Sequence, residues 1–489
     1  MSTISRRAIL GGLTSAALVR GQRRKPNFVF ILADDHAGYV LGVDGNRLAR
    51  TPHLDAFSRE SVRFSRHFCN SPVCTPSRQS LFTGQMPHSA GVTRLPTPLA
   101  EDKPTLAKQF QKAGYTTAVF GKMHFNRPGM PGMHGFDVAC TEDVLTREWQ
   151  DRVKPAALPP STKTKPLPWK PLKDPARIWL NADKFPYPCY ERDMRASFQM
   201  AETERFLERH KDHPFALWVS FLEPHSPFDF PVEYADKYPP GGFQVPEPGP
   251  EDGPQIPLIF RDLTAADRRG IIAAYYTSVE YLDSNIGRLL RKLGELNLDA
   301  NTLVVYTADH GYCLGQHGRF EKHCGYDPAL RVPLMLRYPG RIRPGVVHDM
   351  TEHVDVSATI TDLMEVEALP VRHGRSLKPH LEQHRVVPRE YIFGEYLENE
   401  EVYIRTDRWK FIYCTGRRGR TDGYATGNPT PGRYEILYDL RSDPGEFRNV
   451  ADRHPDVVNR LTKVMLERFR ETHVSRDKSL DWYLRPADV

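Results

Sequence analysis

The chain has 489 residues, 39% hydrophobic and 26% charged, enough apolar material for a large core and for two or three domains, which excludes the disordered and fibrous classes. Its formal net charge is +6, and Arg6, Arg7, Arg20, Arg23, Arg24 and Lys25 account for that excess with no acid before Pro26. The rest of the chain is near neutral and carries no basic helix or zinc-finger spacing, so no nucleic-acid partner is expected.

The N-terminus reads Ser5-Arg6-Arg7-Ala8-Ile9-Leu10, and its apolar run to Val19 is too short and too interrupted by glycine for a stable membrane span. Residues 1–25 match a twin-arginine export signal, which makes that export machinery an expected partner and a periplasmic or secreted location the expected one. No clean cleavage triplet follows, so retention by an uncleaved signal stays open. Seven cysteines lie far apart without a Cys-x-x-Cys pair, and both disulfides formed after export and free buried thiols are compatible with that spacing.

Asn27 to Ala33 is a continuous apolar run, the pattern of a strand buried on both faces of a parallel sheet, and it stops at Asp34-Asp35. Adjacent carboxylates on a strand point to opposite faces, so both reach one ligand only where the pleat is lost. His53 to Phe64 has helical spacing. In Cys74-Thr75-Pro76-Ser77-Arg78 the proline suits a first helical turn, which predicts a helix with Cys74 just before it, facing free amides, and Arg78 one turn on. A cysteine by itself is more often a small buried hydrophobe than a nucleophile.

Thr105 to Ala113 reads as a helix closed by Gly114, and Tyr115 to Phe120 as a strand ending at Gly121-Lys122-Met123-His124. Residues 141–190, rich in Pro, Lys and Trp, read as a long insertion without periodicity near the pocket mouth. Ala196 to His210 is a predicted helix. Phe215 to Leu222 is a buried strand ending at Glu223-Pro224-His225, and after a long helix from Ala265 to Leu296 the strand Thr302 to Ala308 ends at Asp309-His310. Leu330 to Leu336 is a further strand and Thr351 to Met364 a helix. From Tyr391 onward short alternating segments predict an antiparallel sheet with Val457 to Phe469 as its packing helix, and Gly416 to Arg420 reads as a solvated basic turn. The order is that of an α/β domain over residues 26–378, with a large, mostly parallel sheet flanked by helices, followed by a smaller α+β region over 379–489. Open sheets of this kind bind ligands beyond the carboxyl ends of their strands, which gathers Asp34, Asp35, Lys122, His124, His225, Asp309 and His310 around Cys74.

Cys-x-Pro-Ser-Arg followed by Leu81-Phe82-Thr83-Gly84 resembles the signature of the type I sulfatases, a family with the alkaline-phosphatase-like fold, and the resemblance extends from about Asn27 to Asn449. It implies that Cys74 is oxidised to formylglycine by a separate formylglycine-generating or sulfatase-maturating enzyme. It also implies one divalent cation held by Asp34, Asp35, Cys74, Asp309 and His310. The family usually carries Asn where this chain has His310, and the nitrogen ligand is a departure; calcium is the leading candidate.

Gly-Lys-x-His resembles the family's sulfate-binding pair, which implies sulfate contacts for Lys122 and His124, and His225 sits in a Pro-His-x-Pro-Phe string like the family's. The distance from Asp309 to Lys322 resembles that in iduronate-type sulfatases. The implied reaction is hydrolysis of a sulfate monoester, a sulfated small molecule or glycan, through a metal-bound formylglycine hydrate and a sulfated enzyme intermediate. In that reaction Arg78 would help to activate the nucleophile, Lys122 and Lys322 would neutralise the sulfuryl oxygens, His225 is the first choice to protonate the leaving alcohol and His124 to take the remaining hydroxyl proton, with exchange of the two histidine roles left open. The rival within the superfamily is a phosphonate monoester or phosphodiester hydrolase.

Overall fold

The computed structural model describes residues 25–473 except 168–169, 171–172, 383–386, 397–400, 415–423 and 427–433. The export signal, apart from Lys25, and the basic turn at 416–420 lie outside the described residues. Strands β1 (Asn27–Ala33), β2 (Val62–Phe64), β3 (Thr116–Gly121), β4 (Val138–Thr141), β5 (Phe215–Ser220), β6 (Thr302–Ala308), β7 (Leu334–Arg337) and β8 (Gly345–Val347) form one eight-stranded sheet in the order β8-β2-β7-β6-β1-β5-β3-β4. It is parallel from β6 across to β4, and antiparallel only where β7 meets β6 and β2.

Both faces of the sheet are covered, which is why β1 can be apolar throughout. Phe28, Phe30 and Leu32 pack into a layer with residues of the helices Cys74–Thr83, Leu106–Lys112 and His353–Met364, while Val29, Ile31 and Ala33 pack with those of Arg195–His210 and Ala265–Glu295. The register then sets the site. Ser220 pairs with both Leu32 and Gly121, and Ala33 pairs with Ala308, so the residues that follow β1, β3, β5 and β6 leave the sheet at one level.

Three sequence expectations are corrected. His53 to Phe64 is not one helix: Pro52–Arg59 is helical, burying Leu54 and Phe57, and Val62–Phe64 is drawn into the sheet by pairing Val62 with Leu336. The strand expected over Leu330 to Leu336 is split at Pro333, which has no N–H to donate. Arg331–Val332 joins a small sheet with His67–Phe68 and Thr351–Glu352, and the remainder becomes β7. Residues 141–190 are not structureless, since Glu142–Arg152 is an α-helix that buries Leu145, and Ala176–Trp179 is a short one. Acids in the first turn and a basic last turn were the available signals for the first of these.

In the C-terminal region β9 (Ile392–Tyr396), β10 (Glu401–Arg405), β11 (Trp409–Cys414) and β12 (Tyr434–Asp439) form an antiparallel sheet in chain order. The helix Pro455–Thr472 lays Leu461, Met465 and Phe469 against Ile404, Phe411 and Leu437. Buried Lys410 ties this sheet to the main body through Asp327 at 2.7 Å and also reaches Glu446 at 2.7 Å. All seven cysteines are free thiols, and no described helix is long and apolar enough to cross a membrane.

Candidate active site

The helix Cys74–Thr83 begins with Cys74 itself as its first residue, after extended Val73, rather than with Cys74 just outside it. The sequence folds this way because Pro76 has no N–H to leave unpaired in the first turn and Gly84 can take the left-handed φ of +69° that ends the helix. Every residue of the helix is buried. Ser77 anchors it by donating to the Asp309 carbonyl, and the Ser77 hydroxyl also lies 3.1 Å from His353 Nδ1.

Asp34 and Asp35 follow β1 as expected, and the pleat is lost at Asp35, whose φ is +68°. The backbone N–H of Asp35 donates to Asp309 Oδ1 at 3.1 Å, which joins the ends of β1 and β6. At the end of β3, Gly121 has φ +104°, and a Cβ there would come within 1.9 Å of the Ser220 carbonyl. Only glycine fits, and the chain can then turn Lys122 into the site.

The three carboxylates and their cations are buried together. Arg78 Nε donates to Asp309 Oδ2 at 2.8 Å, its Nη1 donates to Ser220 Oγ at 2.9 Å and to the Lys122 carbonyl, and its Nη2 is 3.6 Å from Asp34. Lys122 pairs with Asp34, and Lys322 Nζ is 3.0 Å from each oxygen of Asp35. His310 Nε2 lies 3.2 Å from Cys74 Sγ and its Nδ1 3.2 Å from Asp35 Oδ1. Cys74 Sγ is 3.7 Å from Asp34 Oδ1, and His124 opens onto the same cavity.

Proton affinities follow from this packing. Burial raises the Cys74 thiol, but Lys122, Lys322 and His310 outweigh it and hold the thiol well below its ordinary range. Burial likewise opposes ionisation of Asp34, and Lys122 reverses the effect, so that carboxyl sits well below the usual carboxylate range. Asp309 is pushed up to about 6 by burial, against the pull of Arg78. His310 is raised to about 9 because Asp309, Cys74 and Asp35 overcome its burial.

The predicted residues thus converge. Donor atoms of Asp34, Cys74, Asp309 and His310 all lie within 4.8 Å of one another, and so do those of Asp34, Asp35, Cys74 and His225. Cys74, Lys122, His124, His225 and Lys322 open onto one cavity of about 860 Å³, and Arg78 lies behind them, fully buried. The cavity is also walled by Thr146, Arg147 and Gln150 of the helix Glu142–Arg152, by Trp179, and by Tyr424 from the connection between β11 and β12.

Sequence reasoning missed Glu142. Its two oxygens accept from Met123 N and His124 N, each at 2.9 Å, and so hold the turn in which His124 takes a φ of +57°. It also missed Ser220, which receives Arg78, and Arg195, which lines the cavity. Nothing in their local sequence marks these residues, and the strand read as Phe215 to Leu222 ends at Ser220 only in the structure.

Fold and site together define a covered α/β domain whose strand ends gather a buried thiol, a clustered set of possible cation ligands and a lysine-bearing cavity wall suited to an oxyanion. The sequence profile of the sulfatase family matches residues 26–366, and that of the N-sulphoglucosamine sulphohydrolase C-terminal region matches residues 315–473. An arylsulfatase of Clostridium perfringens is 29% identical over 94% of this chain and 98% of its own length, and a choline-sulfatase of Rhizobium meliloti is 28% identical over 92% and 87%. Among solved structures, a phosphonate monoester hydrolase of Agrobacterium radiobacter superposes with a TM-score of 0.76 at 23% identity, covering 92% of this chain and 96% of that one. The chain belongs to the sulfatase family and is a sulfuric ester hydrolase.

Proposed function

We propose that this sulfatase acts after export on a carbohydrate sulfate monoester, with residue 74 as formylglycine made from Cys74 by a separate maturation enzyme. One divalent cation, with calcium in first place, would be held by Asp34, Asp35, Asp309, His310 and residue 74. The observation that carries this reading is the convergence of three fully buried carboxylates on the Cys74 sulfur with His310, an oxygen-rich donor set that fits a hard cation and includes one nitrogen. When bound, the cation would lower the pKa of a coordinated hydroxyl and polarise the sulfuryl oxygens.

The chain's own residues do the rest. Lys122 and Lys322, paired to Asp34 and Asp35 at the cavity wall, are in position to neutralise the sulfuryl oxygens. Arg78 fixes the Asp309 and Asp34 carboxylates and has no opening to the cavity, which suits a positioning role. His225 is half-buried on the wall, where it can protonate the departing alkoxide. His124, which lines the same cavity as the side chain at 74 and has a buried Nδ1 without a hydrogen-bond partner among the described residues, can accept the proton whose removal expels sulfate and restores the aldehyde.

Mass spectrometry of the Cys74 peptide from the native host, with turnover of sulfate and phosphonate monoesters compared side by side, tests the proposal. An aldehyde in place of the thiol, a higher kcat/KM on sulfate esters, and loss of turnover in Cys74→Ala are expected. Near-normal turnover in Cys74→Ala, or a preference for phosphonate, would overturn it.

A further inference from the structure

Resting on that reading of the site, we propose that Arg147 and Arg195 form a subsite for a second anionic group, a carboxylate or a further sulfate, on the alcohol portion of the ester. Both line the cavity onto which Cys74 opens. The cations beside Cys74 are already committed: Lys122 to Asp34, Lys322 to Asp35, and Arg78 to Asp309 and Asp34. Arg147 and Arg195 make no hydrogen bond or ion pair among the described residues.

Their surroundings make this state informative. On the same helix as Arg147, Arg152 is paired with Glu148 at 3.4 Å and Glu202 at 2.7 Å. Asp143, one turn before Arg147, does not pair with it and instead accepts from Thr141 Oγ1 at 2.7 Å. Glu142, the other acid on the wall, is occupied by the Met123 and His124 amides. Arg195 is half-buried, and its Nη2 is fully buried with no acceptor; the buried Glu223 carboxylate feels its charge but makes no hydrogen bond or ion pair with it. The part of Arg195 that lines the cavity carries a guanidinium charge with no hydrogen-bonded acid to neutralise it, and an oxyanion in the cavity supplies one.

The same cavity wall includes Leu95, Pro96, Leu222, Trp179 and Tyr424, surfaces suited to the body of a ring and not to charge. One cavity therefore combines the groups beside Cys74, ring-sized apolar surface and two arginines without a hydrogen-bonded acid. Planar guanidinium forks match a carboxylate or sulfate through paired hydrogen bonds, which a lysine cannot reproduce.

The test uses the mature full-length enzyme, with formylglycine verified by mass spectrometry, and three probes: phenyl sulfate, 4-carboxyphenyl sulfate and hydroquinone disulfate. Arg147→Ala, Arg147→Lys and Arg195→Ala are each compared with the wild type. Loss of one charge-assisted contact is expected to lower kcat/KM for the two anionic esters relative to phenyl sulfate by about tenfold or more, mainly through KM, with Arg147→Lys recovering part of it. Arg147 is exposed, so its truncation leaves folding intact, and circular dichroism checks this. A selectivity ratio unchanged in Arg147→Ala overturns the subsite while leaving the sulfatase reading in place. A drop with only one of the two anionic esters identifies which group the subsite takes. If mature wild-type enzyme turns over a glycan sulfate but none of the three aryl esters, the same ratio is measured on glycan sulfates with and without a second anionic group, and an unchanged ratio in Arg147→Ala overturns the subsite; absence of turnover on every sulfate overturns the sulfatase reading itself.

Discussion

Arg78 is the residue whose removal is most directly calculable. Its guanidinium is fully buried, 2.8 Å from Asp309 and 3.6 Å from Asp34. At an effective dielectric of about 20, Coulomb's law gives roughly 6 kcal/mol for the nearer pair and roughly 5 for the other, most of it offset by desolvation of the charges. Arg78→Met leaves two buried carboxylates short of a partner, and the expected cost is about 3–5 kcal/mol, a large part of the stability of any domain. Arg78→Lys keeps the charge but loses the fork to Asp309, Ser220 and the Lys122 carbonyl, and a smaller loss is expected. Urea unfolding of chelator-treated protein, followed by tryptophan fluorescence, measures both. A double-mutant cycle with Asp309→Asn should return a coupling of about 2–3 kcal/mol, so that the double variant is more stable than the sum of the single losses implies. A loss in Arg78→Met below about 1 kcal/mol, or strict additivity in the cycle, would refute the claim that this pair holds the site together.

Glu142→Gln replaces one acceptor of the Met123 and His124 amides by a donor; the expected result is a stability loss of about 1–3 kcal/mol with a fall in kcat out of proportion to it, checked by thermal unfolding and steady-state kinetics. Asp283 caps the helix Pro52–Arg59 by accepting from His53 N at 3.0 Å and Leu54 N at 2.7 Å, and burial pushes its carboxyl up to about 7, against those two bonds. Its folded pKa is above the unfolded one, so its contribution to stability is complete below the unfolded carboxylate pKa and is lost as pH rises through about 7. Relative to Asp283→Asn, which does not titrate, the wild type should lose about 3 kcal/mol between about pH 5 and 8; a flat difference across that window in urea midpoints would show that burial does not govern this group.

Much of the site was legible because its chemistry is written at the ends of apolar runs. Asn27 to Ala33, Phe215 to Leu222 and Thr302 to Ala308 can be buried on both faces only within a covered sheet, and each hands its next residues to the same edge. The Cys74 segment and the Gly121-Lys122-Met123-His124 turn carry local backbone requirements, a proline in a first turn and a glycine at positive φ, that short sequence does encode. The same locality explains the failures. Whether Val62–Phe64 is helix or strand depends on Leu336 and Met335, more than 270 positions away, and Glu142 acquires its task only when its helix docks beside the turn after β3.

From the amino-acid order alone come the class of fold, the identity of the converging side chains and the sulfatase signature, since each rests on patterns within about a dozen residues. Strand order, the union of four strand ends at one level and the far wall of the cavity come from tertiary structure. They are set by pairing register and by packing between segments hundreds of residues apart, and no local preference specifies which distant partner a buried surface will meet.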